Sequence, residues 1–377
     1  MFGKKVAVIA AVAILAATPI ALASCGKSAL ARQYLCMGTA AELCVSGMGE
    51  EEFNALSEEV GEFLFAAENS LSVARSFSAV SNFNAAAAGE EVEIDKTSYA
   101  VFSLAIEMCE LTGGAYNPAV YYSVQAYGFG ALSTTRPTTA EELPDEEELE
   151  KYVSISSHFT EILLSQKDGK YYATKPNFTV TTVEGELPLK VDLGGIGKGW
   201  CADRVNEMLD ERGVEHGYFS FGGSTMALKK FSGGDGRYTV GPRNPEALQN
   251  SYLTFKCADT RLSTSALYER KYSVGGQEYW HIMDPSTGAP VRTGISSVTI
   301  TGDNAAKCDA LSTALFSMGK ERAVRFINDN LGDYFVVMLL IEDGQGKIIT
   351  NRPEEITVPK GGYTVINTVD GNGIVLN

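Results

Sequence analysis

Apolar side chains recur along this chain with two periods. Phe53, Leu56, Val60 and Leu64 sit three and four residues apart, which predicts an amphipathic helix over residues 50–67. Residues 99–112 predict a second helix, stopped by Gly113 and Gly114. Residues 307–318 predict a third with Gly319 as its stop, and residues 321–330 a fourth. Short apolar or alternating runs predict strands over residues 40–45, 216–221, 238–242 and 295–301. Residues 336–341 and 347–350 predict a hairpin, and residues 162–190 hold one or two more around the turn Lys167-Asp168-Gly169-Lys170. Two stretches break the pattern. Residues 71–84, with serines at 72, 76, 78 and 81, read as a polar surface loop. Residues 141–150 are acidic and read as a solvated face, because they lack the spaced oxygen ligands of a calcium loop.

The N-terminus carries a targeting pattern. Lys4 and Lys5 precede an apolar run over residues 6–17, which falls short of the roughly 20 residues that a membrane span needs. Leu22-Ala23-Ser24-Cys25 then resembles a bacterial lipobox. Residues 1–24 are thus expected to be a lipoprotein signal peptide, with Cys25 the lipidated residue; the alternative is an ordinary secretory signal with a stray cysteine. Two or more acyl chains would hold the protein at the extracytoplasmic face of the cell membrane. Residues 25–35 are expected to be a tether, residues 36–350 the folded domain, and residues 351–377 a peripheral C-terminal extension. Cys36, Cys44, Cys109, Cys201, Cys257 and Cys308 show no C-x-x-C and no Cys/His ligand spacing, so they read as small buried hydrophobes rather than zinc ligands.

With 31 Lys and Arg against 47 Asp and Glu, the net charge is −16 over 377 residues. That balance argues against nucleic-acid binding, which needs clustered cations. An anionic substrate would need positive charge supplied locally.

Candidate chemistry gathers in three places. Val191-Asp192-Leu193-Gly194-Gly195-Ile196-Gly197-Lys198-Gly199 reads as a strand, a glycine loop and a helix start, where free N–H groups favour an anion. A plain tight turn is the competing reading. Gly199 stands where a Walker A loop needs Ser or Thr, and Trp200 where a dinucleotide fingerprint needs glycine, so both motifs are excluded. His281 and Asp284 lie three positions apart at the end of a strand. Asp309 and Thr313 share a helix face and both offer oxygen, either to a hard cation such as Mg²⁺ or to a cap and a buried hydroxyl bond. His158 and His216 lack such company and read as structural.

Taken in order, Met37-Gly38-Thr39, residues 78–84, residues 112–118, residues 192–199, Gly222-Gly223, Ser263-Thr264-Ser265, residues 281–288 and residues 309–314 resemble the ApbE family of FAD:protein FMN transferases. The resemblance implies an α+β fold of two α/β subdomains clasping FAD, with mixed or antiparallel sheets and flanking helices. It implies Mg²⁺-dependent transfer of FMN from FAD to a Ser or Thr hydroxyl of an acceptor flavoprotein, with AMP released. By position, Met37, Ala74, Ala115, Tyr116, Asn117, Asp192, Lys198 and Met283 would contact FAD. Gly195 (through its carbonyl), Asp309 and Thr313 would hold Mg²⁺, with Ser312 close by, and His281 would serve as base beside Asp284. A His281 near its ordinary pKa would suit that role. The chain departs from the family's pattern at Ala74, Asn117, Ser224 and Ala266. The small Ala74 in place of an aromatic ring keeps open an FAD pyrophosphatase yielding FMN and AMP, and the departures at Ala74, Asn117 and Ser224 keep open a lipoprotein that holds FAD without turnover.

Overall fold

A computed structural model describes residues 29–133, 135–183, 185–342, 344–359, 363–369 and 373–374. Ten strands join one sheet in chain order: Ala29–Cys36, Thr39–Ser46, His216–Phe221, Thr225–Leu228, Thr260–Ala266, Ile295–Gly302, Phe335–Glu342, Gln345–Thr350, Tyr363–Asn367 and Gly373–Ile374. All neighbours are antiparallel except Gln345–Thr350 with Tyr363–Asn367. Strand Phe335–Glu342 is apolar through Leu340 because both its faces are covered. Val336, Met338 and Leu340 meet the helices, while Phe335, Val337 and Leu339 meet a three-stranded sheet of Tyr238–Val240, Thr254–Cys257 and Ile356–Thr357.

Between strands Thr39–Ser46 and His216–Phe221 the chain builds a second unit. Helices Ala79–Ala85 and Lys96–Leu111 pack there with a small sheet of Glu91–Ile94, Lys170–Thr174 and Leu163–Lys167. Asn84 ties this unit to the approach to Asp192: its amide donates to the Val191 carbonyl and accepts from the Val191 N–H, each at 2.8 Å. The buried Lys175 ammonium donates to the carbonyl of Ala86 at 2.8 Å, and burial pushes its pKa down to about 8. The α+β architecture with mixed sheets is as expected.

Several local expectations are corrected. Residues 29–35 of the expected tether are strand, because they pair in register from Ala29↔Ser46 onward. An edge strand tolerates Arg32 and Gln33, and their polarity hides the alternation. The polar stretch 71–84 contains helix Ala79–Ala85, started by Ser78, whose hydroxyl accepts from the Ser81 N–H. The acidic run is largely exposed, as a solvated face should be, and it also starts helix Glu146–Ser156 with a capping box of Asp145 and Glu148. The glycine stretch is no loop after a strand: helix Gly194–Glu211 begins inside it. The C-terminal residues are not peripheral throughout, since Ile356–Thr357 and Tyr363–Asn367 belong to sheets. Gly319 (φ 69°) breaks helix Ala305–Asn330, as a stop there predicts. Residues 1–24 and Cys25 lie outside the described residues. Among the described residues no helix is long and apolar enough to cross a membrane.

Candidate active site

The site forms where helix Gly194–Glu211 crosses helix Ala305–Asn330. A Cβ on Gly199 would stand 2.3 Å from the Ala305 carbonyl oxygen, so only glycine permits this approach. Asp203 fastens the crossing: its carboxylate accepts from the N–H groups of Ala305 and Ala306 at 2.8 and 2.9 Å, capping the second helix from the first.

Asp309 thereby meets the glycine helix. Its carboxylate is 6% exposed and takes two neutral hydrogen bonds, from the Gly199 N–H at 3.1 Å and from the Ser263 hydroxyl at 3.0 Å. Gly199 N–H is the group a regular helix aims at the Gly195 carbonyl. Among the described residues no Lys, Arg or His forms an ion pair with Asp309. Around it stand more oxygens. Ser265 Oγ lies 2.8 Å from Ser312 Oγ and 3.4 Å from Thr313 Oγ1, and a Cβ on Gly195 would lie 4.0 Å from Thr313 Oγ1. Gly195, Asp309, Ser312 and Thr313 are thus brought together. A buried carboxylate without a cation is costly, and an oxygen-only donor set fits a hard divalent cation. Among the described residues no three His, Cys, Asp or Glu converge, so such an ion would rely on hydroxyl, carbonyl and water oxygens.

Ala115 and Tyr116 are buried at the end of helix Lys96–Leu111, where Gly113 and Gly114 turn the chain with positive φ. Tyr116 Cε2 lies 3.5 Å from the Cβ position of Gly195. Burial, and next the Asp309 carboxylate, hold its phenol well above the ordinary pKa. Asp192 Oδ1 accepts from the Gly194 N–H at 2.9 Å, and the Lys198 ammonium donates to the Gly194 carbonyl at 3.1 Å. Met37 (φ 48°) occupies the turn between the first two strands, and Ala74 is exposed. Met283 is buried with Tyr127 and Phe129. The Asn117 side chain is occupied within its own corner, donating to the Ser156 carbonyl and accepting from the Ala119 N–H, both at 2.9 Å.

His281 and Asp284 do not form a hydrogen-bonded pair. Asp284 Oδ1 accepts from the N–H and hydroxyl of Ser286 at 2.8 and 2.7 Å, closing its own turn. His281 Nδ1 is buried without a partner, and the backbone N–H donates to the Arg270 carbonyl at 3.3 Å. Burial, reinforced by the Arg270 and Lys198 cations, depresses the imidazole pKa to about 3, well below the ordinary value expected from sequence. Ser263, Ser265, Asp203 and Arg270 carry no role in the sequence reading. Alternation along strand Thr260–Ala266 puts Ser263 and Ser265 on one face, a signal that could have found them. A small cavity lined by Gly222, Gly223, Ser224, Arg243, Thr264 and Glu269 adjoins this strand.

The fold and the site define an α+β protein that holds an oxygen cluster between two crossing helices, with a buried phenol against the glycine helix. A model of the ApbE family matches residues 37–338. The chain belongs to the ApbE family. An FAD:protein FMN transferase of Treponema pallidum (strain Nichols) is 30% identical over 324 residues, covering 81% of this chain and 84% of that protein. The solved flavin transferase ApbE from Vibrio cholerae superposes with a TM-score of 0.68 at 26% identity, over 86% of this chain and 97% of that one. The ApbE protein from Thermotoga maritima MSB8 does so with a TM-score of 0.69 at 27% identity, over 85% and 96%.

Proposed function

We propose that this chain is an FAD:protein FMN transferase that moves FMN from FAD to a Ser or Thr hydroxyl of an extracytoplasmic acceptor flavoprotein, with Mg²⁺ as cofactor and AMP as leaving group. The observation that carries this reading is the buried, cation-free Asp309 carboxylate set among hydroxyl oxygens against the glycine helix. Gly195 through its carbonyl, Asp309 and Thr313, with Ser312 close by, would hold Mg²⁺, which supplies charge neutralisation at the pyrophosphate. Lys198 and Arg270, whose charges both act on His281, would meet phosphate oxygens. The acceptor oxygen forms a bond to the FMN phosphorus, the bond from that phosphorus to the bridging oxygen breaks, and AMP leaves with the electron pair. The hydroxyl proton passes to neutral His281. Burial is the larger cause of the depressed imidazole pKa, and substrate phosphates facing Lys198 and Arg270 would offset the two cations that add to it, so binding would raise its basicity. Lipid on Cys25 would place the chemistry at the outer face of the membrane.

Ala74 favours a second reading. Its exposed methyl offers no ring to cover a bound flavin, which would leave a path for water. Both readings are separated by incubating the purified chain with FAD, Mg²⁺ and an acceptor flavoprotein. Covalent flavin fluorescence on the acceptor, with AMP in equal amount, is the expected result. AMP and free FMN at the same rate without acceptor would establish hydrolysis instead, and FAD left intact would refute both.

A further inference from the structure

Asn84 and Lys175 are buried polar side chains that the proposed chemistry does not use. They lie on one path to the glycine helix. Residues 189–192 belong to no strand, so the main-chain groups of Val191 have no ladder to join. The Asn84 amide stands in for one. It donates to the Val191 carbonyl and accepts from the Val191 N–H, each at 2.8 Å, across 107 residues of sequence. The next residue is then held by both main chain and side chain. The Asp192 N–H donates to the Pro118 carbonyl at 2.9 Å, and Asp192 Oδ1 accepts from the Gly194 N–H, also at 2.9 Å. Asn84 itself sits in the last turn of helix Ala79–Ala85, although asparagine is a weak helix former. Behind it, the Lys175 ammonium donates to the carbonyls of Asn84 and Ala86 at 3.2 and 2.8 Å and stands 5.0 Å from the centre of the Phe83 ring. A cation complements the carbonyls of a helix end, so the burial of this lysine is compensated where Asn84 needs support.

We propose that Asn84 is a positioning residue for the FAD site. Through Val191 it sets where Asp192 and the first turn of the glycine helix stand, and Lys175 braces it from behind. This rests on the function proposed above, which brings FAD to that turn.

Asn84→Ala removes both bonds to Val191. Ile94→Ala truncates the core of the same unit and takes part in none of these bonds. Full-length wild-type and variant proteins are compared by thermal unfolding without ligand, then by calorimetric titration with FAD in saturating Mg²⁺ well below the unfolding transition. Both variants are expected to unfold at a lower temperature. Asn84→Ala is expected to bind FAD about tenfold or more weakly, because a small displacement of a binding group is expensive in alignment. Ile94→Ala is expected to bind FAD as wild type does. Unchanged FAD affinity in Asn84→Ala overturns the proposal. So does an equal loss in Ile94→Ala, because any loosening of the unit would then suffice. Should Asn84→Ala fail to fold, Lys175→Met takes its place: it keeps an unbranched side chain, removes the ammonium, and is expected to weaken FAD binding about threefold or more. Unchanged affinity there overturns the proposal as well. Wild-type protein that binds no FAD would instead remove the proposed function itself.

Discussion

Two candidate centres, Asp309 and His281, occupy opposite situations in one site. Asp309 is nearly sealed, and both its oxygens are fixed by groups from distant segments, Gly199 and Ser263. His281 has a buried nitrogen with no partner and is kept neutral by burial and by Arg270 and Lys198. The first centre is built by the fold, and on the proposed function a cation would complete it. The second is poised by its surroundings and needs an anion to change it. Pre-organisation lives in the helix crossing, while adjustment lives at the rim.

That contrast can be broken at several points. Gly199→Ala should have the largest effect. Its methyl would overlap the Ala305 carbonyl, so the helices must separate. Overpacking of this kind costs about 1–3 kcal/mol, and AMP release should become undetectable alongside a lower unfolding temperature. Wild-type activity in that variant would show that the close crossing is dispensable. Ser263→Ala comes next. It leaves the fold intact and removes one bond that aims Asp309, so the apparent Mg²⁺ affinity should fall about 10- to 100-fold, with FAD affinity at saturating Mg²⁺ little changed; an equal loss in both would mean that Ser263 does not act through the metal ligand.

His281 gives a smaller effect that depends on pH. Its folded pKa, about 3, lies below the ordinary value of 6.5, so between those limits the unfolded chain binds more protons than the folded one. Stability of the free protein is therefore full above about pH 6.5 and is lost as pH falls toward 3. His281→Gln should flatten part of that acid slope in thermal unfolding measured from pH 7 to 4, and a slope identical to wild type would contradict the depressed pKa. The smallest effect is expected from Asp284→Asn, which keeps an acceptor for Ser286 and so should retain activity within about threefold, against the 10²- to 10⁴-fold expected of a direct proton carrier.

The sequence made the helices and strands with regular periods readable, as in residues 50–67 and 336–341, because burial on a fixed face imposes the period. That Asp309 and Thr313 share one helix face was readable for the same reason, since they are neighbours on successive turns. Ser263 and Ser265 were present as a motif without a role, since what they do depends on a strand and a helix meeting across more than forty residues. The state of His281 was misread because its environment is set by burial in the folded chain and next by Arg270 and Lys198, which lie in other segments. Asp284 looked like its partner on spacing alone, whereas a turn-closing carboxylate is satisfied locally. The first strand was missed because an edge strand shows little alternation, and the start of the glycine helix because glycine carries a weak helix signal.

The most direct measurement is calorimetric titration of Mg²⁺ into full-length wild-type protein and into Asp309→Asn, which keeps the shape and removes the charge. Wild type should bind one equivalent, and the variant should bind at least about tenfold more weakly with no loss of unfolding temperature. Equal Mg²⁺ binding by the two proteins would contradict the assignment of this carboxylate to the cation.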